Sequence, residues 1–286
     1  MLVFIISIYK RPELTKIVLD YYRKLNKIYP FKIVIAGSEG ESSKKLAKGF
    51  DYIEVPNFPL TDKNNFMMQR AKVHNPDAVV LLGSDDFICE NVIKYYYSLI
   101  EAKETEVVGF YDLYFYSTQH EYLSHYDCGE KSFGAGRYFP KSVLELINYK
   151  GWKGDLNKGL DGNNMRILEQ RGVKHRVVEL ADIDGLLVDV KHNFNISNKN
   201  ITFVGKQVNK QIMARKKIPV DKIDALPIEK TVVNQPKEVS GFDYNKVYTF
   251  IPNGKSKHLG LEPIKITGFE AELFIKKGYG DVKTND

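Results

Sequence analysis

The stretch Ala78-Val-Val-Leu-Leu-Gly-Ser-Asp-Asp-Phe-Ile-Cys-Glu-Asn-Val92 drives five apolar residues into Gly83-Ser84 and stops on two adjacent carboxylates, Asp85 and Asp86. A short apolar run bounded by turn residues reads as a strand buried on both faces. A single aspartate at its end could cap the helix that begins near Glu90, and Ser84 or Asp85 would serve. The second aspartate has no such use, and two neighbouring carboxylates repel each other. Something positive is expected between or in front of them.

Working outward, Leu2–Ile8, Phe31–Gly37 and Asp51–Pro56 read as further strands, beside Asp77–Gly83. Pro12 opens a helix where its missing N–H costs nothing, and Leu14, Ile17, Val18, Tyr21, Tyr22 and Leu25 form one apolar stripe. Residues 62–74 read as helical with Asp62 as cap. Strands separated by helices of this length make a parallel, doubly wound sheet. Ligands of such sheets bind beyond the carboxyl ends of the strands. Asp85 and Asp86 fall there, as do Ser7-Ile8-Tyr9 and Gly37-Ser38-Glu39-Gly40.

Farther on, residues 106–116 read as a long strand or a hairpin, 129–140 as a glycine-containing loop, and Pro140 to about Asn148 as a helix. A second helix is expected over 156–172, closed by Gly172, followed by two late strands. Residues 206–238 carry eight Lys/Arg against four Asp/Glu with three prolines, and read as a basic connector between a domain at 1–205 and a small module at 239–286. That module alternates like a small sheet and closes on helical turns at Phe269–Lys277.

The bulk numbers narrow the classes. In 286 residues, 43% hydrophobic and 27% charged, the net charge of +6 suits an anionic small ligand. There is no dense Lys/Arg stripe of the kind that nucleic acid binding needs. Cys89 and Cys128 give neither a disulfide framework nor a metal spacing, which fits a reducing interior. The apolar start is short and followed by positive charge, the reverse of a signal peptide. With no run near the ~20 apolar residues of a membrane span, a cytoplasmic location is expected.

Taken in order, Ser-Ile-Tyr-Lys-Arg-Pro-Glu-Leu (7–14), Ile-Ala-Gly-Ser-Glu-Gly-Glu (35–41), Pro-Leu-Thr-Asp-Lys-Asn-Asn (59–65) and Val-Val-Leu-Leu-Gly-Ser-Asp-Asp (79–86) resemble family 2 glycosyltransferases of the GT-A fold over roughly residues 1–200. The resemblance implies an α/β, Rossmann-like, doubly wound mixed sheet with a small C-terminal α+β appendage. It implies transfer of a sugar, with inversion, from a nucleotide-diphosphate donor (a UDP-sugar) to a hydroxyl acceptor on a glycan, protein or other molecule. It also implies Mn²⁺ or Mg²⁺ as cofactor. That family's strand end reads Asp-x-Asp-Asp. Here Gly83 replaces the first aspartate, Asp85 matches the metal ligand and Asp86 the residue after it. Ser84 and Asp85 then border the nucleotide, and His192 falls where a further metal or phosphate contact is supplied.

By the same resemblance Ser7, Tyr9 and Arg11 meet the base and its first phosphate, and a tyrosine ring and a guanidinium are chemically suited to such contacts. Ser38 and Glu39 stand where an Asp-Asp-Gly-Ser motif grips the base, and both usual aspartates are absent. Lys63, Asn64 and Asn65 resemble a segment lying against the nucleotide. Asp161, in Lys-Gly-Leu-Asp-Gly-Asn-Asn, is the expected catalytic base, with Asp155 as competitor and helix capping as the alternative. Gly134 and Gly136 would let backbone N–H groups approach acceptor or diphosphate, and Trp152 would give a sugar-stacking platform, with a lid anchor or plain core as the alternatives.

The module at 240–286 looks like small appendages of bacteriophage proteins, which implies a virus-encoded enzyme with a protein partner. It also raises an alternative, a GT-A scaffold without activity that serves as a virion or adaptor component. A nucleotidyltransferase would need a glycine-rich, lysine-bearing signature after the first strand, and residues 7–14 have none.

Overall fold

In the computed structural model, residues 1–192 and 205–227 are described, with the backbone of three strands farther on. The chain divides into two units, Met1–Glu229 and Lys230–Asp286.

The first unit opens with β1 (Leu2–Ser7), α1 (Pro12–Leu25), β2 (Phe31–Gly37), α2 (Glu41–Leu46), β3 (Asp51–Glu54), α3 (Leu60–Ala71), β4 (Ala78–Gly83), β5 (Asp86–Ile88) and α4 (Glu90–Glu101). It continues with β6 (Val107–Phe110), β7 (Asp112–Ser117), β8 (Tyr122–Asp127), β9 (Tyr138–Pro140), α5 (Lys141–Leu146), α6 (Leu160–Gln170), β10 (His175–Val178), β11 (Leu187–Lys191), β12 (Lys206–Val208), α7 (Gln211–Arg215) and α8 (Val220–Asp224). The main sheet has the order β10-β6-β9-β4-β1-β2-β3. β1, β2, β3 and β4 run parallel, and β9 is antiparallel between β4 and β6. This is a mixed, Rossmann-like α/β fold.

A second sheet, β12-β8-β7-β11-β5, begins where β4 ends. The expected 106–116 segment is therefore two strands in two sheets, β6 and β7, broken at Tyr111. That break carries the chain from the main sheet to the second. Helix α3 starts two residues earlier than its polar signal: Pro59 holds the cap position with no side-chain bond, and Asp62 sits in the first turn.

Both faces of the main sheet are covered. Leu2, Phe4, Ile6, Val80 and Leu82 pack with Val18, Leu19, Tyr22 and Leu25 of α1 and Val92, Ile93 and Tyr96 of α4. Val3, Ile5, Val79 and Phe139 pack with Met67, Met68 and Ala71 of α3 and with Leu144 and Leu168. This two-sided burial explains why the strands read as unbroken apolar runs.

Residues 206–226 correct the expected connector. β12 pairs with β8, and Met213, Ile218, Val220, Ile223 and Leu226 are buried in the core. The basic residues of this segment stand outward in part: Lys210 bridges Glu121 and Asp224, and Lys217 bridges Glu90. Their charge conceals a sparse apolar stripe too short for periodicity to expose.

The second unit shows an antiparallel three-stranded sheet, β13 (Val247–Pro252), β14 (Ile264–Thr267) and β15 (Gly280–Thr284), in the order β14-β13-β15. The helical turns expected at 269–277 lie outside the described residues.

Phe4 lies fully buried at the centre of the first core, with ring centroids 5.8 Å from Tyr22 and 4.6 Å from Phe31. Phe4→Ala is expected to lower unfolding free energy by ~3–5 kcal/mol, read from the midpoint of a urea transition at unchanged slope.

Candidate functional site

β1 and β4 are neighbours in register, Ser7 beside Gly83, so the loops leaving both strands meet at one edge. The chain then turns through Ser84 and Asp85 into β5, which runs antiparallel to β11 with Asp86 directly opposite Asp189. Asp85, Asp86 and Asp189 each place a carboxylate oxygen within 4.8 Å of the others. Like charges directly opposed on neighbouring strands are destabilising, so this arrangement needs compensation.

Two side chains supply part of it. Arg11 Nη1 donates to Asp85 Oδ2 at 2.6 Å and Nη2 to Ser84 Oγ at 3.0 Å. Lys191 Nζ donates to Asp189 Oδ2 at 2.5 Å. Lys10 and Arg11 both hold left-handed backbone, φ 53° and 59°. For residues with a Cβ this costs roughly 1–2 kcal/mol each, and it sets the guanidinium against Asp85. Asp86 turns its carboxylate back to accept from the Gly83 N–H. A Cβ at Gly83 would stand 2.6 Å from Asp85 Oδ1 and 3.0 Å from Asp86 Oδ2. A side chain at the first position of the Asp-x-Asp-Asp pattern would therefore displace these carboxylates from the positions they hold.

Three carboxylates and two cations leave one net negative charge, and the carboxyl groups show it. Burial, with Asp189 and Asp85 beside it, raises the Asp86 carboxyl well above its ordinary range. Burial pushes Asp189 to about 6 even though Lys191 opposes, and Asp85 adds to the shift. For Lys191, burial works against the charge, but Asp189, Asp85 and Asp86 more than restore it. Asp189 Oδ1 is buried with no hydrogen-bond partner among the described residues. An unpaired buried carboxylate oxygen beside two more carboxylates is the donor set that a hard divalent cation accepts.

Sequence reasoning found two of these three carboxylates. Asp189 escaped it, although an Asp and a Lys at alternate positions of the apolar run Leu-Leu-Val-Asp-Val-Lys (186–191) mark one polar face of a strand. His192, expected to give a metal or a phosphate contact, has Nδ1 2.8 Å from Thr118 Oγ1 and is not in the carboxylate group.

Around the β1 edge, the Tyr9 ring lies near the ammonium groups of Lys10 and Lys63, 5.3 and 5.9 Å from its centroid. The exposed Phe58 meets it edge-on at 6.2 Å. Lys63 differs from the expected phosphate-facing lysine. It is 1% exposed, and its ammonium donates to Ile8 O, Ser38 Oγ and Asn57 Oδ1 at 2.8–3.0 Å. It therefore ties the β1, β2 and β3 loops together. Glu39 accepts from the Lys10 N–H. Asn65 exchanges two hydrogen bonds with the Trp152 backbone and so clamps that loop.

A second pole forms around Asp161. Gly159 occupies the cap of α6, and Asp161, in its first turn, is exposed and makes no capping bond. A side chain at Gly134 would collide with the Asp161 carboxylate. The glycine is what allows the loop and the acid to meet. Gly136 serves the core instead. It has a left-handed φ of 75°, its carbonyl accepts from Tyr96, and a Cβ would lie 2.6 Å from Leu187 Cδ1. It is a packing residue, not an acceptor contact.

Beneath the loop lies Arg137, fully buried and overlooked in the sequence. Its fork donates to Asn164 Oδ1 at 2.8 Å and to Ser132 O and Oγ at 3.0 and 3.2 Å. Asn164 stands one turn along α6 from Asp161 and donates to Gly151 O. One guanidinium thus joins the glycine loop, the Asp161 helix and the 151–153 segment. Neighbouring His175, bonded to Ser132 Oγ, is pushed down to about 4 by burial and by Arg137.

Trp152 is not a platform. It is 4% exposed, packs against Phe139, and its Nε1 donates to Leu160 O. Its glycine-flanked setting suggested an open loop, but α3, β9 and α6 close over it.

No protein-family model matches the chain, and no curated protein does. Among solved structures, it is similar to the mannosyltransferase PcManGT from Pyrobaculum calidifontis in complex with GDP-Man and Mn²⁺. The identity is 14% and the TM-score 0.44, over 66% of this chain and 56% of that one. The chain spans just over half the length of that structure.

Two outcomes follow from these placements. Trp152→Ala is expected to cost ~3–5 kcal/mol of stability as a core truncation, measured by chemical denaturation; an unchanged midpoint would return Trp152 to the surface. Burial lowers Lys63 from 10.5 to about 8, with Glu39 and Glu54 opposing. Between those values the unfolded chain binds the extra proton, so stability relative to Lys63→Met should rise as pH rises from about 8 to 10.5. A parallel melting series at stepped pH reads the difference, and a flat or falling one contradicts it.

Proposed function

We propose that this protein is an inverting glycosyltransferase that moves a sugar from a nucleotide-diphosphate donor, a UDP-sugar, to a hydroxyl acceptor. The observation that carries the reading is the opposition of Asp86 and Asp189 across β5 and β11, with Asp85 beside them, at the carboxyl end of β4. That is where a sheet of this kind takes its ligand. Asp85, Asp86 and Asp189 would hold Mn²⁺ or Mg²⁺, and the orphaned Asp189 oxygen fits that role. A dication bound there stabilises negative charge on a diphosphate leaving group.

The chain's own residues do the rest. Arg11 and Lys191 offset two carboxylate charges, so a dication added to the set leaves one net positive charge to receive an anionic diphosphate. Tyr9 offers a ring face at the loop that Ser7, Ser38 and Glu39 border. Asp161, exposed at the start of α6 and held against Gly134, takes the acceptor proton. As the acceptor oxygen bonds to the anomeric carbon, the bond from that carbon to the phosphate oxygen breaks. Its electron pair leaves with the diphosphate, and the proton ends on the Asp161 carboxylate.

One observation favours a second reading, a scaffold without activity: Asp85 and Asp189 already have protein cations as partners. Thermal melting separates the two. With UDP or GDP present, Mn²⁺ should raise the midpoint by several degrees in the native chain, and Asp189→Ala should remove the rise. No shift with any nucleotide supports the scaffold. Asp161→Asn should keep the nucleotide shift and abolish transfer; loss of both would mean that Asp161 is not the base.

A further inference from the structure

With Trp152 in the core, the sugar-handling surface has to lie elsewhere, and one group of rings has neighbours at both poles. Phe115 of β7, Tyr126 of β8 and Phe133 of the glycine loop form a triangle, with centroids 5.9 Å apart for Phe115–Tyr126 and Tyr126–Phe133 and 6.3 Å for Phe115–Phe133. Phe115 is 8% exposed, whereas Tyr126 and Phe133 keep part of their surface accessible.

The triangle touches both poles. On one side Lys191 Nζ sits 5.1 Å from the Phe115 centroid while it pairs with Asp189. On the other, Phe133 immediately precedes Gly134, the residue against which the Asp161 carboxylate rests. The Phe133 position is fixed by its N–H to Phe110 O at 3.0 Å. Tyr126 is fixed by the β7–β8 register, opposite Leu113.

We infer that Phe115, Tyr126 and Phe133 form the acceptor subsite and that its occupant is a neutral sugar ring, stacked on Tyr126 and Phe133 with a hydroxyl at Asp161. The inference rests on the transferase reading, in which Asp161, held against the residue that follows Phe133, faces an acceptor hydroxyl. The chemistry selects the class. A pyranose carries an apolar C–H face for the rings and hydroxyls for a charged rim, and such a patch is apolar with a few convergent polar groups. Lys191 and Asp161 are that rim. An acidic acceptor would meet the exposed Asp161 carboxylate, and a lipid chain would need apolar surface where Asp161 and Lys191 stand.

The test is saturation-transfer NMR of the full chain with a panel of neutral methyl glycosides, run beside nucleotide melting. At least one glycoside should bind through its ring protons. Phe133→Ala should weaken that binding roughly tenfold, the loss of one good stacking contact. Phe133→Trp should keep it, and the nucleotide shift should be unchanged in both. Tyr126→Leu, which keeps bulk and loses the flat ring, gives a second reading if Phe133→Ala does not fold.

Equal glycoside binding by the native chain and both truncations overturns the subsite. So does a native chain that answers to nucleotide but to no glycoside. Glycoside binding that depends on Phe133 without any nucleotide shift keeps the subsite and removes the transferase.

Discussion

Asp86 faces Asp189 across two antiparallel strands whose other side chains are apolar except for Lys191, a placement that would push the strands apart if nothing answered it. The second sheet depends on that answer. β5 is only three residues long and joins the sheet solely through β11, so its pairing and the charge balance at the opposed pair stand together. Arg11 reaches in from the loop after β1, Lys191 from the same face of β11, and the Gly83 N–H from the strand end. A negative residue of charge remains at the point where strands from both sheets converge.

The backbone around this point is shaped for the same end. Two successive left-handed residues, Lys10 and Arg11, turn the β1 loop back over β4. Strain of this kind persists where surrounding structure over-determines it, and functional sites are where it collects. Gly83 carries a different constraint: the turn after β4 leaves no room for a Cβ beside the two carboxylates. A larger residue in place of Gly83 would have to displace the Asp85 and Asp86 carboxylates from the positions they hold.

The Asp161 pole is built on another principle. Its carboxylate is exposed, and rigidity comes from below through Arg137, a buried guanidinium with no carboxylate in contact and with Nε unpartnered among the described residues. Burial lowers its pKa, and Asp161 is the first of the neighbours to oppose that shift. Buried charge of this kind is expensive; here it fastens the glycine loop to the Asp161 helix, and Asn164 carries the link on to the Trp152 turn. One pole thus gathers charge and the other supports a single exposed acid on a fixed base.

Much of this was legible in the chain itself. The predominantly apolar runs at 2–8, 31–37 and 78–83 point to a sheet buried on both faces, because a half-exposed strand alternates apolar and polar residues. Their ends place Ser7, Ser38 and Asp85 at one edge, since parallel strands with helical crossovers align their carboxyl termini. Asp85, Asp86 and Asp161 announced themselves as acids where apolar periodicity stops. Only the tertiary structure set Asp189 opposite Asp86, because register between strands a hundred residues apart is fixed by packing and leaves no local trace. The same holds for Arg137, which reaches Asn164 on a helix more than twenty residues farther along the chain. It holds too for Trp152 and Lys63, read as site residues from their neighbours in sequence and buried by elements that sequence does not place beside them.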